Sequence, residues 1–200
     1  MNRAASGSSR GDTREEIIRA GTEIMLQKGF NTTGLEGVLR EANVPKGSFY
    51  YYFASKEDFG LAVIDRFAEE SLRKLDEFLR EKKYSPLARI RNYLEAGVAA
   101  MQECAYTRAC LIGKLSEEMA TQSEIFRKRL ETVFQGRKRR FADCLEEAKK
   151  AKQILPECNP EQLAEFLLMG WEGACVRAKV TRSVQPLHDF LEVLFGKILK

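Results

Sequence analysis

Of 200 residues, 97 are Ala, Leu, Glu, Lys or Arg, only 26 are Val, Ile or Thr, and the formal net charge is +4. This composition favours long helices and is too poor in β-branched residues for a large sheet; at 44 % hydrophobic it is also too apolar for general disorder. The mild charge permits nucleic-acid binding without demanding it, and no run approaches the ~18 apolar residues of a membrane span.

Met1 to Gly11 is made of Ala, Ser, Gly and Arg among others, lacks an apolar secretory stretch, and reads as a flexible arm. A cytoplasmic location with reduced cysteines is therefore expected. Thr13 with Glu16 forms a capping-box pattern ahead of the periodic Ile17, Ala20, Gly21 and Ile24, and Gly29 is placed to end that first helix. Thr33 with Glu36 repeats the pattern before a short helix carrying Val38 and Leu39 and ending at Ala42-Asn43. A tight turn follows, with Val44 able to plug between two helices, and a second short helix runs from about Pro45 to Phe53. Ser55 with Asp58 opens a long helix from Lys56 to about Lys82. Ser85-Pro86, Asn159-Pro160 and Pro186 mark three later starts, because proline tolerates the first helical turn.

The expected fold is all-α, with about nine helices. The helices are short within residues 12–53 and long afterwards, which predicts a three-helix head over 12–56 and a larger helical bundle over 57–200. The most basic window, Arg127 to Lys152, carries 10 basic and 4 acidic side chains and reads first as the solvated face of a long helix.

Two short helices around a tight turn have the layout of a helix-turn-helix, whose second helix enters the major groove. Phe49 and Phe53, four residues apart, share the buried side. Lys46, Gly47, Ser48, Tyr50, Tyr51 and Tyr52 then supply a cation, a close backbone approach, a hydroxyl and phenols, which suit phosphate and base contacts. Spacing alone leaves open whether the tyrosines meet DNA or pack against neighbours.

The residues Gly29-Phe30, Thr32-Thr33, Val44-Pro45-Lys46-Gly47-Ser48-Phe49-Tyr50-Tyr51-Tyr52-Phe53 and Ser55-Lys56-Glu57 resemble the N-terminal signature of the TetR family of bacterial repressors. The resemblance implies a homodimer that binds a palindromic double-stranded DNA operator. It also implies that Thr33 caps the second helix against a phosphate, that Tyr50 and Lys56 hold phosphates, and that Lys46, Gly47, Ser48 and Tyr51 face the groove. Two residues depart from the family pattern. Asn43 stands where glycine is common and tolerates the left-handed conformation. Pro45 stands where a small hydroxyl residue is common and removes an amide donor. Arg3, Arg10 and Arg14 either add minor-groove contacts or belong to a tail without a role.

In the second half, Ala109 to Glu118 and Trp171 to Ser183, followed by Pro186-Leu187, resemble the subgroup of N-ethylmaleimide-reductase repressors, which respond to electrophiles and oxidants, and of acrylate-responsive repressors. In that comparison Cys110 and Lys179 match sensing positions. From the residues themselves, a helix starting near Thr107 would put Cys110 in its first turn with Lys114 on the same face, and both features lower a thiol pKa. A buried, inert cysteine is the other reading. Cys104 and Cys175 are secondary thiols, and Lys179 is open between a salt bridge and pocket lining.

Reversible binding of a small acid or hydrophobic ligand between Cys110, Trp171 and Lys179 is the alternative to covalent sensing. Five cysteines without a CxxC pair and a single histidine, His188, argue against a metal site or Cys-His catalysis, and no cofactor or enzymatic constellation is expected. The last helix carries Leu187, Phe190, Leu191, Leu194, Phe195 and Ile198. With Phe166, Leu167, Met169 and Gly170 on the preceding helix, it is the expected dimer interface.

Overall fold

The computed structural model describes residues 10–107 and 110–199. Among them the regular structure is helical throughout, with no strand. In chain order the elements are α1 (Arg10–Lys28), α2 (Leu35–Glu41), a 3-10 turn (Lys46–Ser48) leading into α3 (Phe49–Tyr52), and α4 (Lys56–Leu79). They continue as α5 (Pro86–Glu103), α6 (Leu111–Met119), α7 (Glu124–Lys150), α8 (Pro160–Thr181) and α9 (Gln185–Val193), which ends in a π turn (Leu194–Ile198). No helix of the described residues is long and apolar enough to cross a membrane.

Helices begin where a side chain can take up their first amides, which have no partner inside the helix. Ser55 Oγ accepts from the Asp58 amide at 3.0 Å, and Asp58 Oδ2 accepts from the Ala54 amide at 3.0 Å, a reciprocal cap for α4. Ser85 caps α5 ahead of Pro86. Asn159 Oδ1 accepts from both Glu161 and Gln162 amides, at 3.0 and 3.3 Å, ahead of Pro160. Asn159→Ala is expected to cost about 1 kcal/mol, read as a lowered urea midpoint with an unchanged slope. Ser123 caps α7 in the same way, a start the sequence reading did not single out.

Two expected caps are not used. Helix α1 already runs from Arg10, so Thr13 lies inside it, and of the expected arm residues 1–9 lie outside the described residues. Helix α2 is preceded by Gly34, with no side-chain cap. Thr33 instead turns its hydroxyl to the Gly29 carbonyl and is fully buried. The stop at Gly29 does form: its φ is +81°, and its amide donates to the Met25 carbonyl at 2.9 Å. Asn43 takes the left-handed conformation (φ 55°), and the Val44 amide closes onto the Leu39 carbonyl at 2.9 Å, which ends α2 and starts the turn.

Two apolar clusters hold the chain. One joins α1 through the first half of α4 to α6 and the start of α7; Ile17, Phe49, Phe59, Leu111, Leu115 and Phe126 are among its members. The other joins the end of α4 to α5, α7, α8 and α9 through Leu75, Leu94, Phe141, Leu167 and Leu191. The first cluster does not end near residue 57: α6 and the beginning of α7 complete the core of the short-helix head.

Between α4 and α5 the second cluster buries one charge. Arg89, 2 % exposed, donates to the Leu79 carbonyl at the end of α4 and to Glu147 Oε2 of α7 at 2.6 Å, and Lys82 reaches the same carboxylate at 2.8 Å. Burial pushes the nearby Cys144 thiol up to about 11.

Candidate functional site

The head presents the side chains expected of a groove-reading helix. Phe49 and Phe53 are buried, each 1 % exposed, and meet Phe59 edge-on, so the opposite face of α3 is turned to solvent. Tyr50 and Tyr51 are 73 % and 59 % exposed. Tyr52 is half-buried, edge-on to Tyr51 and packed on the head core. Lys46, at the exposed entrance of this segment, pairs with Glu36 of α2 and holds that carboxyl below the usual range. Gly47 is exposed beside it and Ser48 is half-buried.

Two of the expected phosphate ligands sit differently. The buried Thr33 hydroxyl faces the chain interior and has no path to a phosphate. Thr32 is exposed, with its hydroxyl on the Lys28 carbonyl. Lys56 lies over the Phe30 ring, 4.7 Å from its centroid, and donates to the Asn31 carbonyl at 3.3 Å. Partial burial lowers its pKa, opposed by Glu118.

A second concavity opens in the bundle. A cleft of about 890 Å3 lies between α4, α5, α7 and α8, and Cys110, Trp171 and Cys175 line it together with Tyr93, Arg137 and Glu172. Trp171 fits there because α5 carries Gly97, where a Cβ would fall 2.6 Å from the indole ring. Trp171 also leans on Phe190 of α9.

Cys110 stands immediately before α6 as its N-cap rather than inside the first turn. Arg137 of α7 donates to its sulfur at 3.1 Å, to Ser71 Oγ at 2.9 Å and to Glu172 Oε1 at 3.5 Å, while its Nε is buried without a hydrogen-bond partner. Burial pushes the Cys110 thiol up; the Arg137 charge pulls it back and Glu172 pushes it up again. Burial likewise raises the Cys175 thiol and the Tyr93 phenol, so both stay protonated at neutral pH.

The cation at Cys110 is thus Arg137 and not Lys114. Lys114 points toward the head, donating to the Leu26 and Gln27 carbonyls at 3.2 and 2.7 Å. Lys179 is half-buried and near enough to Lys114 to disfavour its charge, but neither lysine lines the cleft. The sequence reading missed Arg137 because it lies in a window read as a solvated face. Part of that window is a solvated face, where Arg127 pairs with Glu124 and Arg129 with Asp65, whereas Lys138 and Arg140 are half-buried against Glu165 and Asp76. Ala105 and Tyr106, at φ 48° and 61°, place two left-handed non-glycine residues in the loop before Cys110. Such strain gathers at ligand clamps and switches.

Helix α6 connects this cleft with the head. One turn on from Cys110, Lys114 takes the last carbonyls of α1, and a further turn on, Glu118 Oε2 accepts the Asn31 amide at 3.1 Å. A Cβ at Gly29 would collide with the Glu118 carboxylate, so glycine serves both the left-handed stop and this contact. Among the described residues, no group of three or more His, Cys, Asp or Glu side chains could hold a metal ion.

Two family models match the chain. Residues 17–63 match the bacterial regulatory proteins of the tetR family, and residues 86–194 match the tetracyclin repressor-like C-terminal domain. The chain belongs to the TetR family. It is similar to the transcriptional regulator AcuR of Cereibacter sphaeroides, 38 % identical over 183 residues that cover 92 % of this chain and 83 % of AcuR. It is also similar to the repressor NemR of Escherichia coli K12, 35 % identical over 181 residues and 90 % of each protein. The solved reduced form of E. coli NemR superposes with a TM-score of 0.85 at 33 % identity, covering 92 % of this chain and 97 % of that one. As a TetR-family member, the protein is a transcription regulator with a helix-turn-helix head, and the surfaces on α8 and α9 take on added interest.

The expected dimer residues divide there. Leu187, Leu191 and Leu194 are buried in the chain's own core, because α9 must cover α5 and α8, and they cannot face a partner. Phe190 packs on Trp171 and Gly170, and Phe195 lies under Arg91 at 4.1 Å. Ile198 is half-buried. Phe166 and Met169 remain exposed at 42 % and 60 %, and Val176, Val180 and Val193 join them. The sequence reading overlooked these valines; on α8 they continue the three- and four-residue spacing from Met169 through Gly173.

Proposed function

We propose that the protein is a TetR-type repressor that binds a palindromic operator as a homodimer and releases it when Cys110 is modified by an electrophile or oxidant. The observation that carries this reading is the position of Cys110. Its sulfur lines the cleft, and it caps the helix whose Lys114 and Glu118 hold the end of α1. A group added at the sulfur crowds the start of α6, and any displacement reaches α1, which meets the recognition helix through Phe59 of α4, whose ring lies against Gly21 on one side and Phe49 and Phe53 on the other. The modified state then favours a head spacing that no longer fits successive major grooves. Likeness to NemR, solved in a reduced form, supports a thiol-responsive reading.

Operator DNA selected from a random pool provides the test. An electrophile such as N-ethylmaleimide should add one mass equivalent at Cys110 and release the DNA, whereas Cys110→Ser should bind DNA and stay bound. Full release in Cys110→Ser would overturn the reading. Replacing Lys114 with Met together with Glu118 with Gln should preserve the cleft and reduce the effector-dependent change in operator affinity by about tenfold.

One observation favours a second reading, reversible capture of a small organic acid. Arg137 is buried beside Cys110 with an unpartnered Nε, and a guanidinium pairs strongly with a carboxylate. Titration of Cys110→Ser with small carboxylic acids separates the two: release at saturating acid, without any adduct, selects the second.

The exposed row Phe166, Met169, Val176 and Val180 on α8 supports the dimer, since a contiguous exposed apolar stripe marks an interaction surface. Val180→Glu should shift sedimentation from dimer to monomer while leaving the monomer's helical signal intact.

A further inference from the structure

The geometry points to Arg137 as the positioning residue that makes Cys110 nucleophilic, with Glu172 as the group that restrains it. This rests on the reading of Cys110 as the sensing thiol and names what tunes it. Arg137 ties four helices together at the cleft. It stands on α7, donates to Ser71 of α4 and to the sulfur ahead of α6, and faces Glu172 of α8. It is 7 % exposed, so water screens its charge weakly and the sulfur 3.1 Å away feels most of it. Glu172 approaches the same point from the other side, since a Cβ on Gly113 in the first turn of α6 would meet its Oε2 at 2.8 Å.

The two charges act on the thiol in opposite senses. A nearby guanidinium favours thiolate and a nearby carboxylate disfavours it, so in the resting state Glu172 partly neutralises the activating cation. The resting thiol stays protonated in bulk, and the thiolate that does form is held against Arg137. Once Cys110 is alkylated, its sulfur can no longer become a thiolate. Arg137 then keeps Ser71 and Glu172 as its partners without the transient anion at α6, which favours its contacts with α4 and α8. The same residue that activates the thiol therefore registers that it has reacted. The other ionisable groups facing the site are Lys74 of α4, Tyr93 and Glu103 of α5, Cys104, and Cys175 of α8.

The test is the pH dependence of iodoacetamide labelling at Cys110 in the full chain, followed by peptide mass. In this step Cys110 gives its proton to water, its sulfur bonds to the methylene carbon, and iodide leaves with the electrons of the broken C–I bond. Relative to the unmodified protein, Arg137→Met should move the midpoint up by at least one pH unit, about tenfold slower labelling at pH 7, and Arg137→Lys should recover most of the rate. Glu172→Gln should move the midpoint down and label faster. A purely structural role for the pair predicts the same direction for both losses, through a loosened cleft. Unchanged midpoints, or shifts of the same sign, overturn the inference. If Arg137→Met fails to fold, the downward shift in Glu172→Gln together with the Arg137→Lys profile decides it. Absence of label on Cys110 in the unmodified protein overturns the sensor reading and this one together, whereas normal labelling with unchanged variant profiles overturns this one alone.

Discussion

Phe126→Ala is expected to destabilise the protein by about 3–5 kcal/mol, more than the loss of a helix cap or of a partly exposed ion pair. The ring is fully buried at the start of α7 and meets Phe30 edge-on at 5.0 Å. It also fills the space above Gly60, where a Cβ would stand 2.6 Å from it. Removing it opens a void between α1, α4 and α7 that rigid helices cannot close. Urea unfolding should show a lowered midpoint, and the head should lose its alignment with α6, so operator affinity should fall even though no DNA-facing side chain is altered. A midpoint within experimental error of the unmodified protein would show that the junction collapses onto the gap.

Glu147→Ala is the second. It leaves Arg89, 2 % exposed, with the Leu79 carbonyl as its remaining described acceptor. Breaking such a pair strands a buried charge. The expected loss is about 2–3 kcal/mol, at the low end for buried pairs, because the Glu147 side chain is 43 % exposed and solvent screens part of the interaction. The pH dependence gives the sign. Hydrogen bonds from Arg89 and Lys82 hold the Glu147 carboxyl below its ordinary range. Its stabilising contribution is therefore complete above the unfolded pKa of about 4.3 and disappears as pH falls through the lower folded value. The gap in unfolding free energy between the two proteins should be constant near neutrality and narrow on acidification below about pH 4. A gap that widens on acidification would contradict the assignment.

Much of the fold was legible in the sequence because its signals are local. Ser55, Ser85 and Asn159 announce helix starts through side chains that reach amides two or three residues away, and Gly29 and Asn43 announce stops through conformations few residues adopt. Thr33 shows where such signals mislead. Its Thr-x-x-Glu spacing is that of a capping box, yet the hydroxyl donates to the Gly29 carbonyl instead of accepting from an amide of α2, and burial seals the choice.

The candidate site was half legible. Cys110, Trp171 and Cys175 do meet at one cleft, but the cation at the sulfur comes from 27 residues along the chain. A same-face rule within one helix nominates Lys114, and it has no means of seeing that Lys114 is drawn away to the free carbonyls of α1. Likewise, the wide stripe on α9 gave no indication of which half faces inward. Leu187, Leu191 and Leu194 are claimed by the chain's own core, and the apolar residues left outside include valines too scattered in sequence to draw notice.

The shared core of the head has a consequence for how such regulators can be recombined. Leu111, Ile112 and Leu115 of α6 and Phe126 of α7 are as much part of that core as Ile17 or Phe49. A chimera spliced at residue 57, which would exchange DNA specificity between relatives by trading their first three helices, would set a foreign head on a seat shaped for another. Such a graft demands that the inward faces of α6 and early α7 travel with the head, even though they lie more than fifty residues further along the chain. Swapping the exposed face of α3 alone, with its buried phenylalanines retained, leaves that seat untouched and is the smaller step by which a new operator could be acquired.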